Sequence, residues 1–345
     1  MEKRFIKILF ISALLGLSPA ARADSYREAG TTGVNFIKIP IAAIPTALGG
    51  AYTAMSGPDS ALYNPAGLGM LTYNTFSATH NQYVMDIKEE YLSTALRFPW
   101  GVVGATYQGM LSGDIERRDS SDNLLGNYSV SDNVVSFSYA KSWPYFPEDD
   151  KLQDRMIITP LFTGIEPVEV FRPKSYRLSV GGTLKYIYSD YYEATASAFA
   201  ADAGVLLVLP GRWQLGASAM NFGTKIKYVS ESYSLPQVVR IGVAKDFHNA
   251  NEVMILTLTA DAMKYKDSDF TAAGGAELNI LRLIQLRIGY KAGQSDDLAS
   301  LTAGAGFSLD RLSGMSFLKG SRFDYAYMNY DKFGATHRFS VQFAW

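Results

Sequence analysis

The strongest constraint on this chain is a period of two in hydrophobicity that recurs over unusually long segments. In the closing stretch, Thr336 to Trp345, the residues Phe339, Val341, Phe343 and Trp345 fall on one parity and Arg338, Ser340, Gln342 and Ala344 on the other. Successive side chains of a strand point to opposite faces, so a strand written this way divides an apolar medium from a wet one. The same alternation runs through Tyr176 to Tyr188, Ile284 to Lys291 and Leu301 to Ser308. Strands of soluble proteins usually run about 5 to 6 residues. These run about ten, the length that a tilted strand needs to cross a bilayer.

Fourteen such segments can be laid out, near 73–83, 89–98, 102–111, 128–141, 175–189, 197–209, 212–222, 237–247, 252–264, 270–280, 283–292, 299–309, 321–330 and 335–345. An even number returns both ends of the wall to one side, as in single-chain bacterial barrels. The expected fold is therefore all-β, a transmembrane antiparallel barrel of about 14 strands over 72–345. Pro99-Trp100-Gly101, Pro210-Gly211 and the link at Leu281-Arg282 read as tight periplasmic turns, and the polar runs Ser112 to Asn127 and Gly223 to Pro236 as outer loops. Asp310 to Gly320 is long for a periplasmic turn. Trp143 to Lys174 is longer still, and reads either as a periplasmic excursion or as a further strand pair near Met156 to Thr163 and Pro167 to Phe171. Tyr186, Tyr188, Tyr191 and Tyr192, like Tyr325, Tyr327 and Tyr330, collect at strand ends, where barrels carry aromatic girdles.

Upstream of the strands the chain changes character twice. Residues 1–23 read as a signal peptide: Lys3, Arg4 and Lys7 precede an apolar stretch from Ile8 to Leu17, and Ala21-Arg22-Ala23 offers a small-x-small cleavage site. Beyond it no apolar run approaches the 20 or so residues of a spanning helix. Residues 24–71 are punctuated by Gly30, Gly33, Gly49, Gly50, Gly57, Gly67 and Gly69 and by Pro40, Pro45, Pro58 and Pro65, which leaves no room for long strands. A piece this small cannot build its own core. It can shelter its apolar groups inside the barrel, and we expect a plug. Gly49-Gly50 suits positive φ or close backbone approach. Asn64 suits the N-cap of a short helix with Pro65 in its first turn, and Leu62, Tyr63 and Leu68 suit packing on the wall.

Three blocks in this segment, Ala29 to Pro40, Ala47 to Met55 and Ala61 to Leu68, resemble the plug of the PorV/PorQ family, within the FadL-like fatty-acid transporter superfamily. They cover about a twelfth of the chain. The resemblance marks Gly49, Gly50, Asn64, Pro65, Ala66 and Gly67 as the plug motif. It makes the terminal aromatics Phe343 and Trp345 a signal for the barrel-assembly machinery. It implies a non-enzymatic component of type IX-like protein secretion, with secretion-system proteins as partners. The wider superfamily implies the alternative, an uptake channel for long-chain fatty acids or other hydrophobic small molecules.

Other classes find less to work with. Cysteine is absent, which removes disulfides and thiolate metal sites, and the formal net charge of -1 gives nucleic acid no attraction. The three histidines, His80, His248 and His337, show no nucleophile or metal spacing; His337 falls on the lipid-facing parity. No enzyme, cofactor or metal is expected. Outer-membrane lipid is the expected surroundings. Asp202, Arg240, Asp261, Glu277, Arg287 and Lys291 fall on the lumen parity, where paired charges are ordinary in a polar barrel interior. Small residues in Ala272 to Leu278 and Leu301 to Leu309 suit either a kinked wall or tight packing.

Overall fold

The computed structural model describes residues 30–144, 153–158, 168–173, 176–249, 253–293, 300–309, 320–330 and 334–345. The expected signal peptide, 1–23, lies outside them. Strands follow in the order β1 (Thr75–Gln82), β2 (Lys88–Phe98), β3 (Gly101–Leu111), β4 (Ile115–Arg118) and β5 (Leu124–Tyr128). Next come β6 (Val130–Trp143), β7 (Gln153–Ile158), β8 (Val168–Pro173), β9 (Arg177–Tyr191) and β10 (Ala194–Leu209). After these lie β11 (Trp213–Gly223), β12 (Ile226–Tyr228), β13 (Glu231–Tyr233), β14 (Val238–His248) and β15 (Met254–Tyr265). The last five are β16 (Phe270–Ile280), β17 (Ile284–Ala292), β18 (Ser300–Ser308), β19 (Arg322–Asn329) and β20 (Ala335–Ala344).

Fourteen of these close into one barrel in the order β1-β2-β3-β6-β9-β10-β11-β14-β15-β16-β17-β18-β19-β20. Every wall pair is antiparallel, and each expected segment is a wall strand to within a few residues at its ends. The closure joins β1 to β20, with Thr75 opposite Ala344, and Asn74 and Trp345 exchange N–H to carbonyl bonds at 3.1 Å in both directions. The connection between β6 and β9 contains both features that the sequence left open. It leaves the wall, and within it β7 and β8 pair with each other as a separate two-stranded sheet. The wall count is unaffected because Trp143 of β6 pairs directly with Leu178 of β9. Two further hairpins, β4–β5 and β12–β13, rise from the opposite end. We take that end as outer, since both ends of the wall lie at the other.

Parity decides what each face meets. Leu184, Phe137, Phe199 and Ile241 stand exposed on the outside, between 59% and 70% accessible, and large apolar side chains left open in this way mark a lipid-facing surface. Inward positions of the same strands are buried and mostly small or hydroxyl-bearing, among them Ser138, Ser179, Thr183, Ser218 and Thr259. Near the periplasmic end Trp100 stacks on Phe98 and Tyr139, centroids 4.9 and 5.7 Å away, forming part of a girdle. His337 faces outward as its parity requires, its Nδ1 at 2.8 Å from the Tyr325 hydroxyl.

The lumen is filled by residues 30–74. From the outer end the chain makes a 3-10 turn at Asn35–Lys38, a five-residue helix α1 (Ala43–Ala47), and 3-10 turns at Pro58–Leu62 and Pro65–Met70, then enters β1 at the periplasmic end. Its apolar groups find partners in the wall: Phe36 packs with Val134, Ile187, Ile226 and Leu235, and Leu68 with Ala95, Val102 and Ala140.

Candidate functional site: a clasped plug and a cationic cavity

A plug with little regular structure carries backbone groups that its own hydrogen bonds cannot satisfy, and burying them unpaired is costly. Inward hydroxyls of the wall meet this need. Ser93 donates to the Pro58 carbonyl at 3.0 Å, Ser179 to Ala66 at 2.7 Å, Ser218 to Tyr63 at 2.7 Å, Thr259 to Ala51 at 3.0 Å and Thr302 to Ala47 at 3.2 Å. Inward glycines supply the room. A Cβ on Gly181 would lie 2.6 Å from Pro65, one on Gly216 2.1 Å from the Thr53 carbonyl, and one on Gly289 2.1 Å from the Gly49 nitrogen. Gly275 and Gly304 belong to the same belt, against Leu48 and Ala47. Gly275 in β16 and Gly304 in β18 thus mark close approach of the plug.

The plug motif sits where this packing is tightest. Gly49 and Gly50 adopt φ of 69° and 82°, and a side chain on Gly49 would run into the Tyr290 backbone at 2.7 Å. Asn64 accepts from the Ala66 N–H at 3.1 Å as the N-cap of the Pro65 turn, while its amide donates to the carbonyls of Thr53 (2.8 Å) and Val205 in β10 (2.9 Å). Ala66 is buried against Leu206 and Ala244 of the wall. Gly67 is the exception: its close contact is Ser60 within the plug. Phe343 and Trp345, expected as an assembly signal, stand exposed on the outer surface of β20 and just past its end.

The six lumen charges separate into four groups. Arg240 and Asp261 form a clasp on the plug. Asp261 accepts from the Tyr52 and Thr53 N–H groups at 3.1 and 3.0 Å and from the Thr53 hydroxyl at 2.6 Å. Arg240 donates to the Gly50 carbonyl at 2.7 Å and to Thr53 Oγ1 at 3.0 Å, contacts Asp261 at 3.2 Å, and lies 4.9 Å from the Tyr63 ring centroid. Glu277 and Arg287 meet at 2.6 Å in a network that adds Asp324, 2.9 Å from Arg287, and Arg322. Asp202 pairs with Lys185 at 2.8 Å and accepts from the Asn221 N–H at 2.7 Å. Lys291 stands apart. It is 6% exposed, and among the described residues no carboxylate or other acceptor bonds it. In the plug, burial and then the Asp324 carboxylate push Asp59 up to about 7.

Lys291 faces the main cavity, about 770 Å³ of empty space including open solvent, between the first plug turn and the wall. Ile37, Ile39, Ile41, Leu62, Val134, Met220, Val238, Met263 and Tyr265 supply its apolar lining. Lys38, Lys185, Arg240 and Lys291 are its charged members, and among the described residues no carboxylate lines it. Three of these cations are paired behind the lining, Lys38 with Asp267, Lys185 with Asp202 and Arg240 with Asp261. For Lys185 and Asp324, which the sequence analysis did not single out, strand parity was the available signal. Lys38, Thr53 and Asp267 lie in irregular segments, where no period marks a residue as inward.

No family model matches the chain, and no curated protein matches it. Solved structures do. The CymD monoaromatic hydrocarbon channel aligns with a TM-score of 0.53 at 10% identity, over 88% of this chain and 96% of that one. The P. putida toluene transporter TodX aligns with a TM-score of 0.51 at 12% identity, over 87% and 95%. At such identity the likeness is one of fold. This chain is a plugged, fourteen-stranded barrel with the fold of those two outer-membrane channels.

Proposed function

We propose that this protein is an outer-membrane channel for hydrophobic small molecules that carry an acid group. One observation carries the reading: an apolar cavity inside a plugged barrel holds a buried ammonium, Lys291, with no counter-charge among the described residues. An isolated buried charge is costly, and an organic anion with an apolar body supplies both the missing charge and a fit to the lining. The fold shared with two hydrocarbon channels is consistent with a hydrophobic cargo.

The secretion role implied by the PorV/PorQ resemblance gains less support. Most of the motif in the three blocks that carry it is spent on fitting the plug to the wall, a need common to either role. Binding of 2-naphthoate and of its methyl ester to the purified barrel, followed by calorimetry, tests the proposal. Lys291→Met should weaken the acid by about tenfold or more, the worth of a hydrogen bond to a charged group, and leave the ester within about twofold. Equal losses for both ligands, or none, would refute the acid reading. In cells, deletion should slow growth on hydrophobic acids and leave surface display of exported proteins intact.

A further inference from the structure

The cavity is covered on its outer side by the chain's own N-terminal segment. Residues 31–41 cross the outer end of the lumen: Gly33 N–H donates to the Ser234 carbonyl at 3.0 Å, and Thr32 forms an isolated parallel bridge with Ser234. The segment passes beneath the β12–β13 hairpin so closely that a Cβ on Gly33 would lie 2.8 Å from the Ile226 side chain. Ile37, Ile39 and Ile41 form part of the cavity lining.

Two side chains of this segment converge on one acid in the turn after β15. Asp267, 3% exposed, accepts both donor contacts of the Lys38 ammonium, at 2.6 and 2.8 Å, and the Thr32 hydroxyl. Hydrogen bonds in which both partners are charged are among the stronger ones. Between these two anchors the backbone is strained. Val34 sits at φ 60° and ψ 39°, left-handed backbone that a β-branched residue adopts only against steric resistance. The strain persists because Phe36 is held in its wall pocket and Asp267 holds both flanks, and it favours departure once that hold is lost.

We propose that residues 31–41 are a strap closing the outer entrance of the cavity, with Asp267 as its catch. The inference rests on the channel reading and assigns the regulation of that site. It predicts that the strap opens as a unit and that opening precedes ligand entry.

The absence of cysteine from the chain makes a direct test simple. In detergent-purified full-length barrel, Phe36→Cys reports strap opening by its rate of maleimide labelling. Adding Asp267→Asn should raise that rate by about tenfold or more, as expected for loss of a charge-assisted anchor, and Thr32→Val should raise it less. Heat-modifiable gel migration shows that each variant keeps its barrel. The pair Thr32→Cys and Ser234→Cys allows the strap to be locked by oxidation. The locked barrel should bind 2-naphthoate at least about a hundredfold more slowly than the reduced one, because a closed gate taxes the on-rate by the open fraction. Labelling indifferent to Asp267→Asn, or ligand entry unaffected by the lock, overturns the strap. If neither the acid nor the ester binds any variant, the channel reading falls, and labelling alone still decides whether Asp267 is the catch.

Discussion

At the scale of single residues, the lumen separates charges that hold the plug from the one that is left over. Arg240 and Asp261 clasp the plug with two side chains: each bonds the plug backbone, and each bonds Thr53. Removing one member of a buried ion pair strands the other, at a cost of roughly 3–5 kcal/mol. Arg240→Met should therefore loosen the plug between Gly50 and Thr53 while the wall, whose ladder it does not join through its side chain, still assembles. Planar-bilayer recording checks this: larger or noisier conductance than wild type is expected, and a silent barrel would show that the belt of hydroxyls and glycines holds the plug alone. Lys291 poses the opposite case, a charge with nothing to hold, and for that reason it carries the functional proposal. Its inward parity was readable in the sequence, but its isolation was not, because pairing depends on which inward side chains of neighbouring strands come level.

At the scale of elements, fourteen strands were legible because each obeys one period, apolar outward and small or hydroxylic inward, for about the thickness of a membrane. The β7–β8 hairpin was only half legible. Its strands are short, and nothing in a local period tells whether a strand joins the wall or pairs beside it; the register of β6 on β9 decides that. Since Trp143 already meets Leu178 across this junction, excising residues 146–174 and closing the gap with a short glycine-rich turn should leave the barrel intact. The expected result is unchanged heat-modifiable migration on gels. Loss of the folded band would mean that the hairpin contributes to closure. The same distinction applies to glycine. A small residue in a strand can mark a kink or a close approach, and here Gly216, Gly275, Gly289 and Gly304 each face a specific plug atom.

At the scale of the whole molecule, the last residue completes the first strand. Trp345 bonds Asn74 in both directions and extends the β1–β20 seam by one pair beyond Thr75 and Ala344. Its ring is exposed at the rim. Deleting Trp345 should reduce the amount of folded barrel in the membrane far more than the ligand affinity of the barrels that do form; normal membrane levels of the truncated chain would refute a role in assembly. By itself, the sequence determined the all-β class, the number of wall strands, which parity meets lipid, and that the plug segment, described from residue 30 to 71, had to hide inside, because these follow from periodicity and from the shortage of any other place to bury apolar surface. Tertiary structure alone decided which inward charges pair, that Arg240 and Asp261 clasp the plug, that Asp267 reaches back to Thr32 and Lys38, and that Lys291 has no partner among the described residues. The physical reason is range: a two-residue period is a property of one strand, whereas a salt bridge between strands depends on their mutual register and a plug contact on how the chain threads the lumen.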